Sequence, residues 1–147
     1  MKKKLYNNPI LLVEDSPVDV DLTLRAFKTK NLTNPIQVAR DGEEALSYIQ
    51  KWDEGELIPV VILLDLKLPK VDGLEVLRIF KSHEHYKAIP IVVLTSSLES
   101  TDLERAYKFG VNSYIVKPVN FDNFIEVASQ IELYWSVLNK PLIKNEL

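Results

Sequence analysis

The stretch Val61-Ile62-Leu63-Leu64-Asp65-Leu66-Lys67-Leu68-Pro69-Lys70-Val71-Asp72-Gly73 runs four apolar residues straight into an aspartate, then into proline, aspartate and glycine. A strand with one wet face alternates apolar and polar residues, whereas a strand that is apolar throughout is buried on both faces, as when helices cover a parallel sheet. Similar runs occur at residues 10–13, 36–39, 91–94 and 114–116, and the quoted one predicts a strand over 60–64. A longer segment with helical spacing follows each. The first opens with Ser16 as N-cap and Pro17 at the first helical position, carries Asp19 and Asp21 where the helix dipole favours anions, and buries a stripe of Val20, Leu24 and Phe27. The others are expected over 42–52, 73–82, 100–109 and 121–138, with exposed connections at 52–59, 82–90 and 140–147. Alternation of strand and helix predicts an α/β fold: one doubly wound, five-stranded parallel sheet with five helices.

The chain has 147 residues, 46% of them hydrophobic, which suits one domain over 1–147 with a core at about 9–138, a short basic N-terminal tail and a tail at 139–147. Lys and Arg total 18 against 21 Asp and Glu, a net charge of −3 that offers no general attraction to nucleic acid. The run Lys2-Lys3-Lys4 reads as a solvated tail. Without cysteine, disulfides and thiolate chemistry are excluded. No apolar run reaches the roughly 20 residues that span a bilayer, and Asn7-Asn8-Pro9 interrupts any secretory signal, so a soluble cytoplasmic protein is expected.

Ligands of open α/β sheets bind outside the carboxyl ends of the strands. Asp65 ends the third strand, and Glu14 and Asp15 end the first. If those strands are neighbours, three carboxylates converge, and like charges so placed require positive company. Lys117, ahead of Pro118 at the end of the fifth strand, supplies one such charge. The remaining two negative charges match a divalent cation, and an all-oxygen donor set favours Mg2+ over zinc. Thr95, with Ser96 and Ser97 after it, brings hydroxyls to the same rim. A carboxylate nucleophile, charge neutralisation and hydroxyl donors together describe phosphoryl transfer.

Glu14-Asp15, Asp65-x-x-x-Pro69-x-x-Asp72-Gly73, Thr95-Ser96 and Lys117-Pro118, in this order and at these strand ends, resemble the receiver domain of two-component response regulators over nearly the whole chain. The resemblance implies a flavodoxin-like sheet of strand order 2-1-3-4-5. It implies that Asp65 accepts a phosphoryl group from a histidine kinase, that Glu14, Asp15, Asp65 and the backbone carbonyl of Lys67 hold Mg2+, and that Lys117 pairs with the phosphate. Thr95 would move to bond the phosphate and Tyr114 would turn inward as the switch aromatic, while Lys67 and Ser97 occupy the positions thought to govern phosphate lifetime. Departures from the family pattern are Glu14 for the commoner Asp, Leu68 for Met and Ser96 for Ala; none removes a required functional group.

On this reading the protein is a signalling module and not an enzyme. A haloacid-dehalogenase-type phosphatase wants an aspartate two residues after the nucleophile, where Lys67 stands, and the carboxylates of Glu14 and Asp15 would repel a flavin phosphate. An unphosphorylated docking module is the remaining alternative. On the last helix, Phe121, Phe124, Ile125, Ala128, Ile131 and Trp135 form a stripe that Val127, Tyr134 and Leu138 widen beyond what one sheet needs. That surplus suggests a partner, most simply a second copy, or else cover by the tail at 140–147; the resemblance to receiver domains implies a homodimer through the fourth helix, fifth strand and fifth helix. With no DNA-binding segment in the sequence, output is expected through a downstream protein target. The aromatic last helix and the long connection at 51–59 are similar to receiver-only regulators that serve bacterial phytochrome kinases. His83 and His85, flanking Glu84, read as solvated, and Trp52 and Trp135 as buried rings.

Overall fold

In a computed structural model, which describes residues 8–29, 32–96 and 101–131, strands and helices alternate along the chain. The order is β1 (Ile10–Val13), α1 (Pro17–Thr29), β2 (Ile36–Ala39), α2 (Gly42–Asp53), β3 (Val61–Asp65), α3 (Gly73–Ser82), β4 (Ile91–Thr95), α4 (Thr101–Lys108), β5 (Ser113–Val116) and α5 (Phe121–Gln130). All pairings are parallel and the sheet runs β2-β1-β3-β4-β5, the predicted architecture.

Every residue of β1, β3 and β4 is buried, as their apolar runs require, and the burial extends to the polar residues Asp65 and Thr95 that end β3 and β4. Alternate side chains feed two cores. Leu11, Val13, Ile62, Leu64, Ile91 and Val93 join Trp52, Leu77 and Phe80 beneath α2, α3 and α4. Ile10, Leu12, Leu63, Val92 and Leu94 join Phe27 of α1 and Phe124 of α5, whose rings lie 4.8 Å apart between centroids. Each such side chain, wholly removed from water, contributes about 1.5–3 kcal/mol before chain entropy is counted.

The helices start where their caps dictate. Ser16 Oγ accepts the Asp19 N–H at 3.2 Å. Asp41 Oδ1 accepts from Glu44 N at 2.7 Å while Glu44 Oε1 accepts from Arg40 N at 2.8 Å, and Asp72 Oδ2 accepts from Leu74 N at 3.1 Å. In α1 the buried stripe is Val20, Thr23 and Phe27, with Leu24 only partly covered. Thr23 is tolerated there because its hydroxyl donates to the Asp19 carbonyl at 2.9 Å. β3 includes Asp65, which pairs with Leu94, and β5 begins one residue early at Ser113. α5 runs to Gln130 and closes at Ile131. The expected continuation of that helix, with Tyr134, Trp135 and Leu138, lies outside the described residues.

Parallel strands carry their C-terminal ends to one rim. Glu14 and Asp15 follow β1, Asp65 ends β3, Thr95 ends β4 and Lys117 follows β5, on four strands adjacent in the sheet. Among the described residues no helix is long and apolar enough to cross a membrane.

Candidate functional site

A cleft of about 360 Å³ opens at this rim, and Glu14, Asp15, Asp65, Lys67, Thr95 and Lys117 all line it. The backbone sets each in place: Glu14 N donates to the Ala39 carbonyl at 2.9 Å and Lys117 N to the Thr95 carbonyl at 2.8 Å, so the turns after β1 and β5 leave the sheet without slack. Gly73 presses on the far side of the Asp65 turn. A Cβ there would lie 2.4 Å from Leu66 Cα and 2.6 Å from the Asp65 carbonyl oxygen, which explains glycine at the start of α3.

Carboxylate oxygens of Glu14, Asp15 and Asp65 all lie within 4.8 Å of one another, with Glu14 and Asp65 buried and Asp15 exposed. Asp65 Oδ1 accepts from Lys67 N at 3.0 Å and Oδ2 from Lys117 Nζ at 2.8 Å. The same ammonium stands 2.8 Å from Glu14 Oε1 and 3.1 Å from Asp19 Oδ2. Glu14 Oε2 accepts from Ser16 N at 3.2 Å. Oε1 receives no well-angled hydrogen bond, its approach to Lys117 being an ion pair.

Burial pushes the Glu14 carboxyl up to about 7 and the charge of Asp65 adds to the rise, against the close ammonium of Lys117 and the hydrogen bond from Ser16 N. Burial also works against the Lys117 ammonium, but its contacts with the Asp65 and Glu14 carboxylates outweigh it and hold the lysine well above its ordinary range. The cluster is thus one fixed cation among more carboxylates than it can neutralise. A buried carboxylate oxygen without a proper donor, beside two more hard oxygens, fits a divalent cation. Such an ion, when bound, would neutralise the excess charge and polarise a phosphoryl oxygen.

Thr95 is buried at the end of β4 with its side chain on the cleft, and Ser96 is exposed beside it. Ser97 lies outside the described residues. Tyr114 does not line the cleft: it is half-buried against the core under α2, α3 and α4, close enough to Tyr107 that its hydroxyl, after burial itself, helps to push the Tyr107 hydroxyl up. His83 and His85 lie at the opposite rim. His85 is exposed, as expected, and only its edge meets Tyr86, whereas His83 is half-buried: its N–H closes α3 on Phe80 and its ring lies 4.7 Å from that of Tyr86. Trp52 is buried between Tyr48, Phe80 and Tyr86.

Two acids of the cleft were not singled out from sequence, Asp19 and Asp102. Asp19 already had a local explanation as a first-turn acid, and Asp102 stands in the first turn of α4, whose position over the rim no sequence signal gives.

A sequence profile of the response regulator receiver domain matches residues 10–129. The chain belongs to this family. Its relatives carry the same modules of two-component signalling, whose receivers interact with histidine kinases and downstream targets. The probable methanogenesis regulatory protein FilR2 of Methanothrix harundinacea is 45% identical over 132 residues, covering 89% of this chain and 85% of that protein. The solved bacteriophytochrome response regulator AtBRR is 49% identical with a TM-score of 0.80, over 90% of this chain and 98% of that one. Response regulator Rcp1 of Synechocystis sp. is 40% identical over 128 residues, 86% of this chain and 87% of Rcp1. A crystal structure of its Mn2+-bound form superposes with a TM-score of 0.70 at 38% identity, covering 87% and 94% of the two chains. A divalent metal on that relative agrees with the acidic cluster of Glu14, Asp15 and Asp65.

Proposed function

We propose that the receiver accepts a phosphoryl group on Asp65 from a histidine kinase in an Mg2+-dependent reaction, and that the change in its rim switches contacts with a downstream protein. The observation that carries this reading is the Lys117 ammonium 2.8 Å from Asp65 Oδ2 within a cluster of three converging carboxylates. An Asp65 carboxylate oxygen attacks phosphorus as the P–N bond to the donor imidazole breaks; the imidazole nitrogen keeps the electron pair and takes up a proton. Water later returns the carboxylate and inorganic phosphate. Lys117 faces the developing charge and Thr95 offers its hydroxyl to the transferred group. Glu14, Asp15, Asp65 and the Lys67 carbonyl would hold the cation, and Tyr114, next to β4 in register with Val93, would follow Thr95 as the switch.

The likeness to AtBRR supports a phytochrome-type kinase as donor. The exposed Tyr107 of α4 and a groove of about 230 Å³ between β5 and α5 support a homodimer through that face, which light scattering tests. The proposed setting is the cytoplasm, where the nucleotide that charges a histidine kinase is held.

Acetyl phosphate with Mg2+, followed by intact mass, tests the central step. One added phosphoryl mass is expected, absent in Asp65→Asn and with the metal chelated. A wild type that stays unmodified leaves the unphosphorylated docking module.

A further inference from the structure

The Lys117 ammonium has three hydrogens and faces three carboxylates. Glu14 and Asp65 have roles in metal and phosphoryl binding; Asp19, whose Oδ2 lies 3.1 Å from Nζ, has none. Its placement is nonetheless firm. Asp19 N donates to Ser16 Oγ at 3.2 Å and the Asp19 carbonyl accepts from the buried Thr23 hydroxyl at 2.9 Å, so the first turn of α1 points this side chain at the cleft. The Asp19 side chain is 36% exposed, against 2% for Glu14 and 9% for Asp65. Of the three acceptors it is the one that water can most readily satisfy if the ammonium leaves.

We propose that Asp19 is a positioning residue that shares the Lys117 ammonium in the resting receiver and must give it up when Asp65 carries a phosphoryl group, so that it weakens and shortens the phosphorylated state. The inference rests on the phosphoacceptor reading. A phosphoryl group brings about −1.5 to −2 charge and three strong acceptors, one of which requires Lys117 as donor. The Asp65 contact is renewed by that group and Glu14 has the metal to face. Asp19 alone competes for the ammonium with nothing in exchange, and its own charge repels the newcomer. A neutral side chain there releases the lysine and removes the repulsion.

Beryllofluoride, which mimics a phosphoryl group on a carboxylate, is titrated into the full chain with Mg2+ and followed by 19F NMR and calorimetry. Asp19→Asn is expected to bind it about three- to tenfold tighter than wild type, the size of one partly screened charge at this range. Its acyl phosphate, made with acetyl phosphate, decays more slowly by a similar factor. Asp19→Ala behaves likewise, and Asp19→Glu stays near wild type. Asp21→Asn makes the same change in net charge on the same helix, where Asp21 pairs with Arg25 at 2.9 Å, and leaves the affinity within about twofold of wild type. Mg2+ affinity without the analogue does not rise in Asp19→Asn, since taking a negative charge out of the cleft cannot strengthen cation binding, so the analogue is titrated at saturating Mg2+. An affinity for beryllofluoride that is equal or lower in Asp19→Asn overturns the inference. A wild type that binds none overturns the phosphoacceptor reading, and this inference with it.

Discussion

Gly42 and Val71 approach so closely that only hydrogen fits between them: a Cβ on Gly42 would lie 2.0 Å from the Val71 carbonyl oxygen. The first residue of α2 is thereby pressed onto the loop that leaves β3, where Gly42 N also donates to the Pro69 carbonyl at 3.3 Å and Lys70, at φ 68°, reaches Asp41 and Glu43 at 3.6 Å. Gly42→Ala must displace backbone, so it is expected to cost about 2–3 kcal/mol in urea unfolding. Because the same loop carries Lys67, calorimetry should also find weaker Mg2+ binding. Trimming Val71 to alanine is not expected to rescue either effect, since the obstacle is a main-chain oxygen.

Removing the ammonium leaves the acids of the cleft uncompensated. Lys117→Met is expected to lower stability by about 3 kcal/mol near neutral pH, because the Glu14 and Asp65 carboxylates it pairs with are buried. Acid should restore much of the loss by protonating them, which paired urea titrations at low and neutral pH will measure.

Glu14 gives the metal-free protein an unusual pH dependence. With its carboxyl raised from 4.5 to about 7 by burial, the native state holds a proton across that interval which the unfolded chain has released. Stability should therefore fall as pH rises through the interval, by about 2–3 kcal/mol, and level off above it. Mg2+ requires the ionised form, so its affinity should rise with pH over the same range. Glu14→Gln is expected to flatten the stability slope and abolish tight metal binding; an unchanged slope in the variant would assign the effect elsewhere.

At the opposite rim, Lys81 Nζ donates to the carbonyls of Lys87 and Ile89 at 3.3 and 3.0 Å and to Asn112 Oδ1 at 2.8 Å, and the same oxygen accepts from Ile91 N at 2.9 Å. Burial lowers the pKa of this lysine, which has neutral acceptors and no carboxylate partner in these bonds. Lys81→Met should cost about 1–3 kcal/mol and speed amide hydrogen exchange at residues 83–90 and 110–112, while Mg2+ affinity at the far rim stays unchanged.

The sheet was readable because its inner strands are apolar at every position short of their last residues, Asp65 and Thr95, a pattern that two-sided burial explains; the edge strand β2, with Ile36, Gln37 and Val38 half-covered, signals more weakly. Glu14, Asp15, Asp65, Thr95 and Lys117 were readable because polar groups at the tips of such strands have few structural excuses. Asp19 was hidden by having one: a helix dipole accounts for an acid in a first turn, and its partner is 98 residues away. Thr23 escaped notice for a related reason, since its hydroxyl is satisfied within its own helix and leaves no trace in the hydrophobic pattern.

Asp65 is the last residue of β3, which has β1 on one side, β4 on the other and no exposed position along its length. Anything bonded to that carboxylate therefore stands on bedrock. The floor beneath is held on both sides, so on the proposed reading the room for a bulky, charged guest would be made by the walls of the cleft, and the message would leave the molecule as a displacement of the residues that line it.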